Sequence, residues 1–255
     1  MSRHGPYHQQ KQGLVHGLRH NDQIGSGPGV LQDGGLYFPS SSADFTALGL
    51  TAPASLWTLQ EASGNLTDVI GGIGLTVVGT PSYAQSVPGF SVVKGFTTTE
   101  VANQRATNTT TAPNAATTSV LLVGIVSEMA AAPAAARTLL SNGTNSDVLH
   151  NTSDRLVGRF AGVQAAQVVD PGGTRFVALQ VDRTNSAARL VTDQANTVGT
   201  YSATITGIQI GIGGAGATPP AAQWLRLWAY TGAAAEISAA QIKTIGQTLG
   251  FTFGW

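Results

Sequence analysis

The stretch that decides the fold is WLRLWAYTGAAAEISAAQIKTIGQTLGF, Trp224–Phe251, because its period changes midway. Through Tyr230 it has period two. Leu225, Leu227 and Ala229 fall on one side and Trp224, Arg226, Trp228 and Tyr230 on the other, the signature of a strand with cover on both faces, as in the inner strand of a two-layer sandwich. From Ser238 the period is helical. Ser238 and Gln241 form a capping box, Ile237 and Ile242 sit at staple positions, and Ile242, Ile245 and Leu249 make one stripe. Gly250 suits the first residue past the helix. A helix over 238–249 is predicted.

Upstream, short apolar runs rich in Val, Ile and Thr recur between Gly, Asn, Asp and Pro. They include TSVLLVGIVS, TRFVALQVDR and ATITGIQIGIG, the last with Ile208, Ile210 and Ile212 on one face. This punctuation belongs to strands and turns. The predicted class is all-β, with two packed antiparallel sheets and one short C-terminal helix.

Charged residues make up 10% of the 255, against roughly 25% in an ordinary soluble domain. The surface must therefore be mostly small and neutral, which suits packing against neighbours. Thirteen basic residues balance thirteen acidic ones, so nothing steers nucleic acid. There is no cysteine, hence no disulfide or thiolate metal site. No window has the roughly 20 apolar residues of a membrane helix, and the N-terminus lacks the pattern of a secretory signal. The Asn-x-Thr/Ser strings at Asn65, Asn108, Asn142 and Asn151 are accordingly read as idle.

Residues 1–35 differ from the rest. They hold four of the five histidines and a Gly/Pro run, and neither period runs through them. They read as an extended arm, with residues 36–255 as the domain. His4, His8, His16, Arg19, His20 and Asp22 are its partner-binding candidates; the i, i+4 spacing of His4/His8 and His16/His20 lacks the helix that a shared metal would need.

The remaining candidates have plain alternatives. Glu61 and Asp68 flank a Gly64-Asn65 turn and read as hairpin chemistry. Gly211–Gly216 matches G-x-G-x-x-G, but Ala-Thr-Pro-Pro follows where a nucleotide site needs a helix. His150, the one histidine of the body, reads as a loop residue without a nucleophile elbow. Asp147 and Asp154 are weak calcium candidates, lacking a D-x-D-x-D-G loop. Trp57, Trp224 and Trp228 are candidates for a sugar-stacking face, with core packing as the alternative. No cofactor is implied.

The order of LWTLQEASGNLTDVIGGIGLTVVG, RFVALQVDRTNSAARLVTD and LRLWAYTGAAAEISAAQIKTIGQTLGF resembles the concanavalin A-like (laminin-G-like) jelly-roll family over residues 36–255. That implies a jelly-roll sandwich and leaves function open among lectins, glycosidases, adhesion modules and virion proteins. The family's glycosidases carry paired carboxylates on one strand; here no two acidic residues lie within six positions, so a non-enzymatic protein is expected. The lead-in HGLRHNDQIGSGPGVLQDGGLYFP looks like that of bacteriophage virion proteins. The main expectation is a structural virion component, capsid decoration or tail-associated, located in the virion. Its arm would tie it to other virion subunits within a homo-oligomeric assembly. The alternative is a carbohydrate-binding module for cell-surface attachment, with a surface glycan as partner. A degenerate glycosidase ranks third.

Overall fold

The computed structural model describes residues 30–108, 118–127, 132–144, 146–160, 163–169, 173–200, 206–213 and 218–255. In chain order the elements are β1 (Leu31–Asp33), β2 (Leu36–Phe38), α1 (Ser42–Ala47), β3 (Ser55–Trp57), β4 (Thr76–Val78), β5 (Ser82–Ser86), β6 (Lys94–Thr98) and β7 (Arg105–Thr107). There follow β8 (Val120–Ser127), β9 (Arg137–Thr144), β10 (Ser146–His150), β11 (Arg155–Phe160), β12 (Val163–Val169), β13 (Arg175–Asp182), β14 (Ala187–Thr192), β15 (Asn196–Thr200), β16 (Thr206–Ile212), β17 (Ala222–Thr231) and α2 (Ala239–Thr248).

The strands build the predicted all-β sandwich of antiparallel sheets. One sheet has seven strands in the order β12-β11-β10-β9-β16-β7-β4. The other has eight, in the order β15-β14-β13-β8-β17-β6-β5 with β3 also on β17. Every described pairing is antiparallel. Between the sheets lies a core of Trp57, Phe96, Leu122, Leu140, Val148, Phe160, Leu179, Leu190, Ile210, Ile212, Trp224 and Leu227 among others.

A second core occupies the opposite face of the eight-stranded sheet. Leu121, Val123 and Ile125 of β8, Phe176 and Ala178 of β13, and Leu225, Trp228 and Tyr230 of β17 point into it. Phe38, Phe45, Ile242, Ile245, Leu249 and Phe251 cover them from the N-terminal hairpin, the two helices and the tail. The two-faced burial of β17 therefore arises from its place between the core of the predicted sandwich and this second core, which the sequence did not indicate. A strand buried on both faces reads as a continuous apolar run, as β8 does.

The predicted alternation of β17 is corrected at its first two residues. Trp224 pairs with Val126 and Arg226 with the adjacent Ile125, so Leu225 is an extra residue. This β-bulge turns Trp224 into the inter-sheet core with Leu227 and Ala229, and sends Leu225 to the second core. Gly124 makes room: a Cβ there would come within 2.8 Å of the Trp224 ring.

The arm boundary at residue 35 falls inside a hairpin. β1 and β2 pair from Leu31↔Phe38 to Asp33↔Leu36. Gly34 (φ 57°) and Gly35 (φ 82°) supply the two left-handed residues of a two-residue turn. Asp33 then clasps the neighbouring loop, accepting from the N–H groups of Ser91, Val92 and Val93 and from the Ser91 hydroxyl. Residues 30–35 thus belong to the body.

The predicted C-terminal helix forms as α2, with both halves of the Ser238–Gln241 capping box present. Gly250 (φ 100°) follows it. Phe251 N–H donates to Gly246 O and Gly250 N–H to Gln247 O, a Schellman ending. Helix α1 was not foreseen. Ser41 caps it by accepting from Asp44 N–H at 3.3 Å, and Asp44 accepts from Ser40 N–H at 2.7 Å.

Candidate functional site

The turn between Glu61 and Asp68 is scaffold. Asp68 accepts from the N–H groups of Leu56, Ile70 and Gly71 at 2.9 Å and of Ile73 at 3.1 Å. Glu61 Oε1 accepts from Thr67 N–H at 2.7 Å. The sugar-stacking expectation is corrected: Trp57, Trp224 and Trp228 are each 0% exposed, the first two between the sheets and the third in the second core. None offers a ring face to solvent. Gly211 and Gly213 lie at the end of β16, and after Pro219-Pro220 the chain enters β17 rather than a helix. His4, His8, His16, Arg19, His20 and Asp22 lie outside the described residues.

One polar cluster of the body lies on the seven-stranded sheet. Asp147 of β10 and Arg159 of β11 are direct cross-strand partners, with Ser141 of β9 opposite Asp147 on its other side. Cross-strand partners share a face. This is the outward face, because Val148 and Phe160, their neighbours in sequence, point into the inter-sheet core. Arg159 Nε donates to Asp147 Oδ1 at 2.8 Å, and Nη2 donates to Oδ2.

The Asp147 side chain is 8% exposed and that of Arg159 38%. Burial pushes the Asp147 carboxyl above the usual range, and Arg159 opposes the rise. The paired carboxylate in turn raises the Arg159 guanidinium. One row along, Leu149 and Val157 are cross-strand partners on the same face, both buried. The outward face thus sets a fixed donor–acceptor row beside an apolar row. Leu149 and Val157, at 7% and 0% exposed, offer a ligand no surface, whereas the partly exposed Arg159 guanidinium can bond its hydroxyls.

A second polar group closes one end of the same sheet. His150 is the last residue of β10 and fully buried, not the loop histidine expected. Its Nε2 lies 2.8 Å from Asp154 Oδ1. Asp154 is placed by a turn in which Asn151 Oδ1 accepts from Ser153 and Arg155 N–H, and it takes a left-handed φ of 55°. Asp147 and Asp154, paired as calcium candidates, are therefore bound separately, one by Arg159 and the other by His150. Across the ladder from His150 is Arg137, which reaches Glu100 at 3.6 Å. Sequence reasoning missed Arg159, Arg137 and Glu100. Their partners lie on different strands, and only the pairing register brings them together.

No family model matches the chain, and no curated protein matches it in sequence. Solved structures do match its fold. A mutant of Trypanosoma rangeli sialidase displaying trans-sialidase activity aligns at TM-score 0.57 and 13% identity, over 81% of this chain and 36% of that one. T. rangeli sialidase in complex with sialic acid aligns at 0.57 and 13%, over 76% and 32%. The binding domain of botulinum neurotoxin DC aligns in complex with SialylT at 0.51 and 12%, over 76% and 50%. It also aligns in complex with rat synaptotagmin II at 0.52 and 12%, over 77% and 51%. The chain spans about a third of the length of the sialidases and about half that of the neurotoxin domain. At these identities the likeness is one of fold.

Proposed function

We propose that the chain is a carbohydrate-binding β-sandwich whose site is the outward face of the seven-stranded sheet around Asp147 and Arg159. The observation that carries this reading is the pair itself. The guanidinium spends Nε and one Nη2 hydrogen on Asp147 and keeps further N–H donors in a fixed plane. Its partial exposure lets those donors meet neighbouring hydroxyls of a sugar. The likeness in fold to a sialidase solved with sialic acid and to a neurotoxin binding domain solved with SialylT supports this choice over the other functions the sandwich can carry.

We read the role as binding rather than hydrolysis. Glu61 and Asp68 serve backbone N–H groups, Asp147 serves Arg159 and Asp154 serves His150. The test is a binding screen of the full chain against sialylated and neutral glycans, repeated with Arg159→Ala. Binding that falls at least about tenfold in the variant, the worth of one good charged hydrogen bond, supports the proposal. Absence of binding to every glycan at millimolar concentration would overturn it, as would binding indifferent to Arg159→Ala. Release of free sugar would show an enzyme instead.

A second reading is the structural virion component, with residues 1–29 as its tether to other subunits. The low charge content favours it, since a weakly charged surface suits packing in an assembly. Mixing chains lacking residues 1–29 with bare particles and counting bound copies tests it; normal occupancy would refute the tether.

A further inference from the structure

We propose that Arg137 and His150 together hold a single hydroxyl group at the end of the inter-sheet core, supplied by a neutral polyol or by water. This site stands on other residues than the Asp147–Arg159 pair and on the opposite face of the same sheet. Arg137 and His150 are direct cross-strand partners on β9 and β10. Leu156, the partner of His150 on β11, lies in the inter-sheet core, and so does Val148 two residues before it. Both side chains therefore point between the sheets.

Each side chain is anchored on one side and unmatched on the other. The His150 side chain is 1% exposed and bonds Asp154 through Nε2, while its Nδ1 is buried without a protein partner. Arg137 faces Glu100 through Nη2, and its Nε is likewise buried without a partner. A carboxylate can only accept, so the neutral imidazole that faces Asp154 carries its proton on Nε2 and leaves Nδ1 as an acceptor. Arg137 Nε–H is a donor. An unmatched donor and an unmatched acceptor on direct cross-strand partners call for a group that accepts and donates at once.

A hydroxyl does both. A carboxylate has no proton for Nδ1, and an ammonium has no lone pair for Nε–H. The rim narrows the class further. The Glu100 and Asp154 side chains are 34% and 43% exposed, and Arg137 is 21% exposed. Two carboxylates against one guanidinium disfavour an anion and offer acceptors to further hydroxyls of a polyol.

The experiment reads the His150 ring nitrogens in the full, 15N-histidine-labelled chain by long-range 1H–15N correlation, alone and with glycerol or methyl α-D-galactoside added. The expected result is a proton on Nε2 and an Nδ1 shift displaced from that of an unbonded acceptor, with the displacement lost in Arg137→Met. A further change with either probe assigns the hydroxyl to a polyol, and no change assigns it to water. A proton on Nδ1 overturns the proposal. So does an Nδ1 shift of an unbonded acceptor that Arg137→Met leaves alone. The tautomer is read on the unsubstituted chain, so the result stands even if the variant folds poorly. It is also independent of Arg159, so the glycan reading and this one can fail separately.

Discussion

Replacing Asp33 with Asn should destabilise the domain by an amount that depends on pH. Burial alone would push this carboxyl up, but the N–H groups of Ser91, Val93 and Val92 and the Ser91 hydroxyl together bring it from 3.8 down to about 2. At about 1.4 kcal/mol per pH unit, this favours the charged form by about 2 kcal/mol. Because the folded value is depressed, the contribution is fully present above about pH 4 and is lost as pH falls towards 2. For a domain of this size, about 2 kcal/mol corresponds to a fall of about 4–8 °C in Tm near neutral pH. Urea unfolding of both chains at pH 7, 4 and 2.5 measures it: the gap should be widest at pH 7 and close with acid. A gap of equal size at all three would refute the reasoning. Truncation gives a parallel check. Removing residues 1–29 should leave the clasp untouched, whereas removing residues 1–35 deletes β1 and Asp33 and should cost at least as much as the substitution.

Arg226 is 2% exposed, and its guanidinium donates to the carbonyls of Pro39, Thr58 and Leu225. Burial lowers it to about 10, so Arg226→Met, which strands those carbonyls, should cost about 1–3 kcal/mol by chemical denaturation. Arg159→Met takes the guanidinium from the buried Asp147 and should cost about 1–3 kcal/mol at pH 7, less than a fully buried pair because Arg159 is partly exposed. The raised Asp147 carboxyl favours the protonated fold, so the loss should shrink in acid, and Asp147→Asn should rescue part of it in a double-mutant cycle. Gly124→Ala should lower Tm by crowding the Trp224 ring, at about 1–3 kcal/mol; an unchanged Tm would show that the bulge can give.

What was legible in the sequence was whatever is written locally. Turn residues, β-branched runs and the Ser238–Gln241 box act within a few positions, and they indicated the strands and α2 correctly. The second core was not legible, because apolar residues on both sides of a strand do not say what covers each side. The bulge at Leu225 escaped because an extra residue leaves no compositional mark; it shows only against Val126 and Ile125 on β8. β1 and β2 are three residues each, too short for a period, and so fell within or beside the supposed arm. The three candidate tryptophans, Trp57, Trp224 and Trp228, ended in cores, where their large apolar area is best spent. At the candidate site His150, Asp147 and Asp154 were visible as isolated residues. Their partners Arg159 and Arg137 were not, since a cross-strand pair is a fact of register.

The second core also sets the order in which this chain can be made. Trp228, Tyr230 and the odd-numbered apolar residues of β8 leave the ribosome before their cover, which includes residues 239–255. Until that stretch emerges, a nascent sheet carries a bare apolar flank, the condition in which large β proteins aggregate or recruit chaperones. Shielding the nascent chain until synthesis is complete should therefore raise its soluble yield more than slowing synthesis would.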